Sequence, residues 1–139
     1  MRLFLDTSVL IAACGSATGA SREIFHLAST HGWTLLATPY VIEEVLRNLP
    51  KLASSASAEW ARLRPEVSIV DDVFTLDRPV VFDIGKDRPI LFSALAWADI
   101  LLTLDKVHFG SLMDRPFFGM AILRPGMFLM RERAAGRLT

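Results

Sequence analysis

The sequence predicts an α/β protein, a three-layer α/β/α sandwich around a parallel sheet, and three observations carry the prediction. The first is Leu3-Phe4-Leu5, an apolar run that ends in Asp6. Apolar residues at consecutive positions suit a strand buried on both faces, the usual state of a parallel sheet. The second is the echo of this pattern in Ile100-Leu101-Leu102-Thr103-Leu104-Asp105, again closed by a carboxylate. The third is the alternation of strand-like runs with helical segments of about ten residues, the pattern of right-handed βαβ units.

Residues 2–6 read as the first strand. Thr7 or Ser8 can cap a short helix through Ala13, and Gly15-Ser16 to Gly19 breaks it. Ser21 caps a second helix with Ile24, Phe25, Leu27 and Ala28 as its apolar positions, stopped at His31-Gly32. Trp33 to Ala37 is the second strand. Thr38-Pro39 opens a third helix, threonine as cap and proline in the first turn, which runs to Leu49 and ends at Pro50. The Ala/Ser-rich stretch Lys51 to Arg64 is a helix, and Val67 to Val70 a short strand. Asp71 to Gly85 reads mostly as loop, with room for a short helix. Asp87 caps a helix over Arg88 to Ala98, with Pro89 in its first turn, and Asp99 to Asp105 is a third long strand. A helical turn or loop covers Lys106 to Met113, and Met120 to Leu123 is the last strand. The tail from Met130, with Arg131, Arg133 and Arg137, is expected to fray or to meet a partner.

A length of 139 residues fits a single domain, 1–139, with a proper core. The chain is 52% hydrophobic with mean hydropathy +0.38, enough for a buried sheet and a surface kept for a partner subunit. Fifteen basic and fifteen acidic residues cancel, so net charge neither supports nor excludes a nucleic-acid substrate. The longest apolar stretch, Pro89 to Leu104, is interrupted by Ser93 and Asp99 and is too short to span a bilayer. Asp6 inside the opening run argues against a signal peptide, and the single Cys14 excludes an internal disulfide. A cytoplasmic protein is expected, with Cys14 as a small buried hydrophobe.

Acids at strand ends and helix starts point to chemistry. In parallel sheets ligands sit beyond the carboxyl ends of the strands, where Asp6 and Asp105 would stand. Carboxylates converging there repel by about 1–4 kcal/mol per close pair, a cost that a cation offsets. Oxygen ligands without a Cys or His cluster favour Mg²⁺ or Mn²⁺, which can activate water and hold phosphate oxygens. The absence of a Gly-rich phosphate loop argues against a nucleotide kinase or GTPase. His26, His31 and His108 lie near no nucleophile elbow, which argues against a serine or cysteine triad. Plainer roles compete. Asp6 can begin a turn, Asp87 can be a simple N-cap, and Glu43 and Glu44 can form a solvated face. The two glutamates flank the apolar face of their helix from opposite sides, so geometry does not choose between them. Trp33, Trp60 and Trp97 read as core or interface, and His108-Phe109 as loop packing or a contact with substrate.

Four blocks together resemble the PIN-domain ribonucleases, the family that includes VapC-type toxins of bacterial toxin–antitoxin pairs. They are Leu3 to Ile11, Pro39-Tyr40-Val41-Ile42-Glu43-Glu44-Val45-Leu46, Lys86-Asp87-Arg88-Pro89-Ile90-Leu91 and Leu102-Thr103-Leu104-Asp105-Lys106-Val107-His108-Phe109. The resemblance implies a PIN-like parallel sheet of four or five strands between helices. It also implies metal-dependent endoribonuclease action on single-stranded RNA. Its acidic quartet carries onto Asp6, Glu44, Asp87 and Asp105, with Glu44 chosen over Glu43 because Val45-Leu46 follows it. Asp6, Asp87 and Asp105 would be the ligands of one or two Mg²⁺ or Mn²⁺ ions, and Glu44 would orient or ligate through water. Thr7, Ser8 and Thr103 match supporting hydroxyls. Arg47, Lys86, Arg88 and Lys106 adjoin the acids and are candidates for RNA phosphates. One departure is Val107, where many members carry a further acid, which points to a single well-bound metal or one that binds only with substrate.

Other phosphoryl-transfer sites fit less well. A haloacid-dehalogenase-like site wants a second aspartate where Ser8 stands, and a response-regulator receiver wants paired acids near Asp6. Two alternatives stay open: a catalytically inactive PIN-fold interaction module, and a stand-alone RNA-processing nuclease. The apolar surplus and the helices around Ile42–Leu49 and Lys51–Arg64 suit a homodimer or an antitoxin groove, with no membrane partner.

Overall fold

Leu3, Phe4 and Leu5 are all fully buried in the first strand, β1 (Arg2–Leu5). Successive side chains of a strand point to opposite faces, so both faces of β1 are covered. The structure is a computed structural model that describes residues 1–74, 88–113 and 116–138, Arg88 without its side chain. After β1 come α1 (Thr7–Gly15), α2 (Ala20–His31), β2 (Thr34–Ala37), α3 (Pro39–Asn48), α4 (Ser55–Leu63) and β3 (Val67–Ile69). Then follow α5 (Arg88–Trp97), β4 (Ile100–Leu102), α6 (Lys106–Phe109), β5 (Ala121–Leu123) and α7 (Pro125–Ala134).

The five strands form one parallel sheet in the order β3-β2-β1-β4-β5, flanked by helices. From β1 the chain builds outward through β2 to β3, then returns to the other side of β1 for β4 and β5. The order therefore reverses between β1 and β4. In such sheets the crevice at the carboxyl ends of these two strands is the place for a ligand.

Helix ends depart from the sequence expectations. Asp6, not Thr7 or Ser8, caps α1: its extended backbone lets its side chain accept from the Thr7 amide. Both hydroxyl residues lie inside the helix. Gly19 stands at the N-cap of α2 without a side-chain bond, while Ser21 is buried within the helix. The left-handed Gly32 (φ 66°) ends α2 as expected, since glycine enters that region without a Cβ penalty. Thr38 and Pro39 do open α3, yet the Thr38 hydroxyl makes no capping bond. The Tyr40 amide donates instead to Asp72, 3.1 Å away. A short 3₁₀ turn, Leu49–Lys51, carries the chain past the end of α3 and includes Pro50.

The tail is the largest correction. Instead of fraying from Met130, it forms α7, which begins with Pro125 and packs on α2. Phe128 and Leu129 turn inward, and Phe128 meets Trp33 edge-on at 5.0 Å between centroids. Glu132 is buried on the same side and pairs with Arg137. The strand expected over Asp99–Asp105 is also shorter, because the chain leaves the ladder after Leu102. Trp33 and Trp60 belong to the core, and Trp97 is partly buried with its Nε1 donating to Asp71 O at 2.9 Å. Among the described residues no helix is long and apolar enough to cross a membrane.

Cys14 is buried, as expected, near the end of α1. Burial pushes its thiol above the usual range, outweighing the opposing pull of Arg22. Native protein should therefore resist iodoacetamide, and urea should expose a fast-reacting thiol. Rapid alkylation of the native chain would contradict this burial.

Candidate active site

Asp6 ends β1 at the reversal point of the sheet and is only 5% exposed. A carboxylate that buried needs partners. Its Oδ1 accepts from the Thr7 amide at 2.7 Å. Its Oδ2 accepts from the Ser8 hydroxyl at 3.0 Å and from the Thr103 hydroxyl at 2.6 Å. The position at the start of α1 adds the favourable end of the helix dipole.

The same hydroxyls tie Asp6 to the end of β4. Thr103 Oγ1 accepts from the Asp105 amide at 3.0 Å, and Ser8 Oγ accepts from the Leu104 amide at 3.0 Å. Each hydroxyl thus donates to one carboxylate and accepts from the backbone that leads to the other. On the far side, Thr7 Oγ1 donates to Glu44 Oε1 at 3.1 Å, which brings α3 into the network. Asp6, Thr7, Ser8, Glu44, Thr103 and Asp105 are therefore joined by consecutive hydrogen bonds across β1, β4, α1 and α3. Glu43 is exposed, beside an apolar groove of about 330 Å³ that includes Ile42, Leu46 and Ile69.

Asp105 caps α6. Its Oδ1 accepts from the His108 amide at 3.0 Å, and its Oδ2 lies 2.8 Å from His108 Nδ1. The sequence reading gave His108 loop packing or a contact with substrate, so this anchoring role was missed. Its signal was the Asp-x-x-His spacing at a helix start, which puts the imidazole over its own cap. Val107, next to it, is 90% exposed.

Arg47 and Lys106 are exposed near the acids. Asp87 and Lys86 lie outside the described residues, as does the side chain of Arg88. Among the described residues no three Asp, Glu, His or Cys side chains gather around one point as a metal-ligand set. The donors present are carboxylate and hydroxyl oxygens, and that chemistry fits a hard divalent cation and not zinc.

One row of the sheet organises these groups. Leu5 pairs with Leu102 and Leu102 with Leu123, while on the other side of β1 the last pair is Phe4 with Leu36. The residues that follow the ends of β2, β1, β4 and β5 are Thr38, Asp6, Thr103 and Arg124. Thr103→Val would remove the hydroxyl that serves both Asp6 and the Asp105 amide. It should cost about 2 kcal/mol, read as a lower urea midpoint. An unchanged midpoint would mean that the bridge contributes nothing to stability.

No family model and no curated protein matches this sequence. Solved structures do match. A chain in the crystal structure of VapBC2 from Rickettsia felis bound to a DNA fragment from their promoter superposes with a TM-score of 0.62 at 14% identity. The likeness covers 88% of this chain and 97% of that one. At such identity it speaks for the fold alone. On its sheet order and this likeness, the chain has a VapC-like PIN-domain fold.

Proposed function

We propose that this protein is a metal-dependent endoribonuclease that hydrolyses single-stranded RNA, and the toxin of a toxin–antitoxin pair. The observation that carries the reading is the network at the sheet reversal. There Asp6 is buried, Thr103 bridges it to Asp105, and Thr7 bridges it to Glu44. A scaffold gains nothing from holding acids together against their repulsion.

Asp6 and Asp105, with Asp87, would hold one or two Mg²⁺ or Mn²⁺ ions. When bound, such an ion makes water nucleophilic at neutral pH and screens the phosphate charge. Ser8 and Thr103 fix the Asp6 carboxylate, and His108 fixes that of Asp105, so that neither has to reorganise. Glu44, steadied by Thr7, orients the attacking water. Arg47, Lys86, Arg88 and Lys106 offer cations to the RNA backbone. Thr103→Val should accordingly weaken metal affinity by about 10- to 100-fold in calorimetry.

The deciding experiment is cleavage of a mixed-sequence single-stranded RNA in Mn²⁺, Mg²⁺ and EDTA. Cutting that needs the metal and is lost in Asp105→Asn supports the reading. Equal cutting by the variant assigns the activity to another site or a contaminant. Val107 favours a second reading, an inactive interaction module. Absence of both cutting and metal binding would establish that one.

Partners follow from the same reading. The matched structure is of VapBC2 bound to a DNA fragment from their promoter. An antitoxin and a second copy of this chain are the partners proposed here. The apolar groove beside α3, with Leu46 and Ile69 exposed, lies on the face where the sequence suited such contacts. A small open reading frame abutting the gene would favour a toxin over a stand-alone processing nuclease. A monomer that captures no co-expressed partner would count against both contacts.

A further inference from the structure

We infer that Arg124 positions the substrate by binding a backbone phosphate of single-stranded RNA beside the scissile one; this inference rests on the nuclease reading above. The argument begins with the row of residues just past the strands. Leu5, Leu102 and Leu123 are in register across β1, β4 and β5. The Asp6 amide donates to Leu102 O at 3.0 Å and the Thr103 amide to Leu123 O at 2.9 Å, the bonds that close the ladder at this row. Asp6, Thr103 and Arg124 are the residues that follow the three paired leucines, at the exits of adjacent strands.

Asp6 and Arg124 occupy equivalent junctions. Each is the one residue between a strand and a helix, with φ, ψ of −68°, 159° and −76°, 149° respectively. Neighbouring strands stand about 4.8 Å apart, so the two Cα atoms lie about 10 Å from one another with Thr103 between them. Residues of one row leave the sheet on the same face. The 2.6 Å bond between Thr103 and Asp6 shows this for two of the three. One junction carries a carboxylate and the other a guanidinium.

The charge of Arg124 is available. Arg22 and Arg62 face Glu59, and Arg137 faces Glu132, whereas Arg124 is exposed and has no ion pair among the described residues. Its backbone is held on both sides, by the pairing of β5 before it and by the buried Pro125 after it. A polyanion that reaches the acidic end of this row needs a cation at the other. A guanidinium fork suits phosphate oxygens better than a carbonyl or hydroxyl would. The sequence reading passed over Arg124 because no acid adjoins it. Its nearness to the site comes from strand pairing and not from sequence.

The test measures binding of a labelled mixed-sequence single-stranded RNA by anisotropy across a salt series, on the full chain carrying Asp105→Asn to hold cleavage off. Adding Arg124→Gln should weaken binding about tenfold and reduce the slope of log affinity against log salt by about 0.7, one phosphate contact. Arg124→Lys should restore the slope, and Arg133→Gln, at the far end of α7, should change neither. In the cleaving protein Arg124→Gln should raise KM far more than it lowers kcat. Equal affinity and slope in Arg124→Gln would overturn the inference and leave the nuclease reading standing. A parent that binds no RNA would overturn both.

Discussion

Asp6→Asn is expected to abolish RNA cleavage, by about a thousandfold, in a protein that still folds. Asparagine has the shape of aspartate and keeps one carbonyl oxygen for the Thr7 amide. It also offers an amide group to the Ser8 and Thr103 hydroxyls, each able to accept. What disappears is the negative charge. Asp6→Ala should behave differently. It strips the acceptor from the Thr7 amide and from two hydroxyls in a site only 5% exposed. That loss should cost about 3 kcal/mol of stability together with the activity. Urea unfolding beside a cleavage assay separates the two variants. Wild-type cutting by Asp6→Asn would remove Asp6 from the chemistry.

A loss of stability as large as that of Asp6→Ala is expected at Arg22. Its side chain is buried between α1, α2 and α4 and works at both ends of its fork. Nε and Nη2 donate to Ala13 O at 2.9 and 2.6 Å, and Nη2 also pairs with Glu59 Oε2 at 2.8 Å. Arg22→Ala leaves a carbonyl at the end of α1 without its donors and a half-hidden glutamate with only the exposed Arg62, 3.9 Å away, for a cation. Breaking such a pair from one side costs about 3 kcal/mol, because the remaining charge stays where water cannot serve it well. Thermal unfolding should fall by about 10 °C. Removing both partners, as Arg22→Met with Glu59→Leu, should recover most of the loss. If the double variant were as unstable as Arg22→Ala, packing and not the ion pair would explain the effect. The consequence reaches the site, since α1 begins with Asp6 and Arg22 ties down its other end.

The sheet was legible because burial on both faces writes itself as consecutive apolar residues. Leu3-Phe4-Leu5, Leu35-Leu36-Ala37 and Leu101-Leu102 carry that mark, and all five strands fall where those runs and the shorter ones predicted. The final helix was illegible for an equally physical reason. Its inward side carries Phe128, Leu129 and the buried Glu132, while Met127 and Met130 face out. A charge inside and methionines outside erase the alternation that reveals a helix. Caps were misplaced by one or two residues at Thr7, Ser8 and Ser21, while Thr38 stands at the expected N-cap but leaves the side-chain bond to another residue. Asp72, which serves α3, lies beyond β3 in the chain.

Of the candidate site, the strand-end acids and neighbouring hydroxyls could be picked out one by one. Their connection could not. That Thr103 donates to Asp6, that Thr7 reaches Glu44 and that Arg124 shares their row depend on which strands are neighbours. Strand order is the part of a parallel sheet that local sequence encodes least.

The same order bears on how the protein is made. β1 is the central strand and precedes the other four, yet its β4 neighbour arrives late: Asp6 and Thr103 are 97 positions apart. At about 5–20 residues per second, β1 waits on the order of ten seconds for that neighbour. Until then Leu3, Phe4 and Leu5 have one open edge, the part of the chain most in need of protection from wrong pairing. Asp6 meanwhile lacks the threonine that holds it. A site divided between β1 and β4 stays unassembled until both strands have been synthesised.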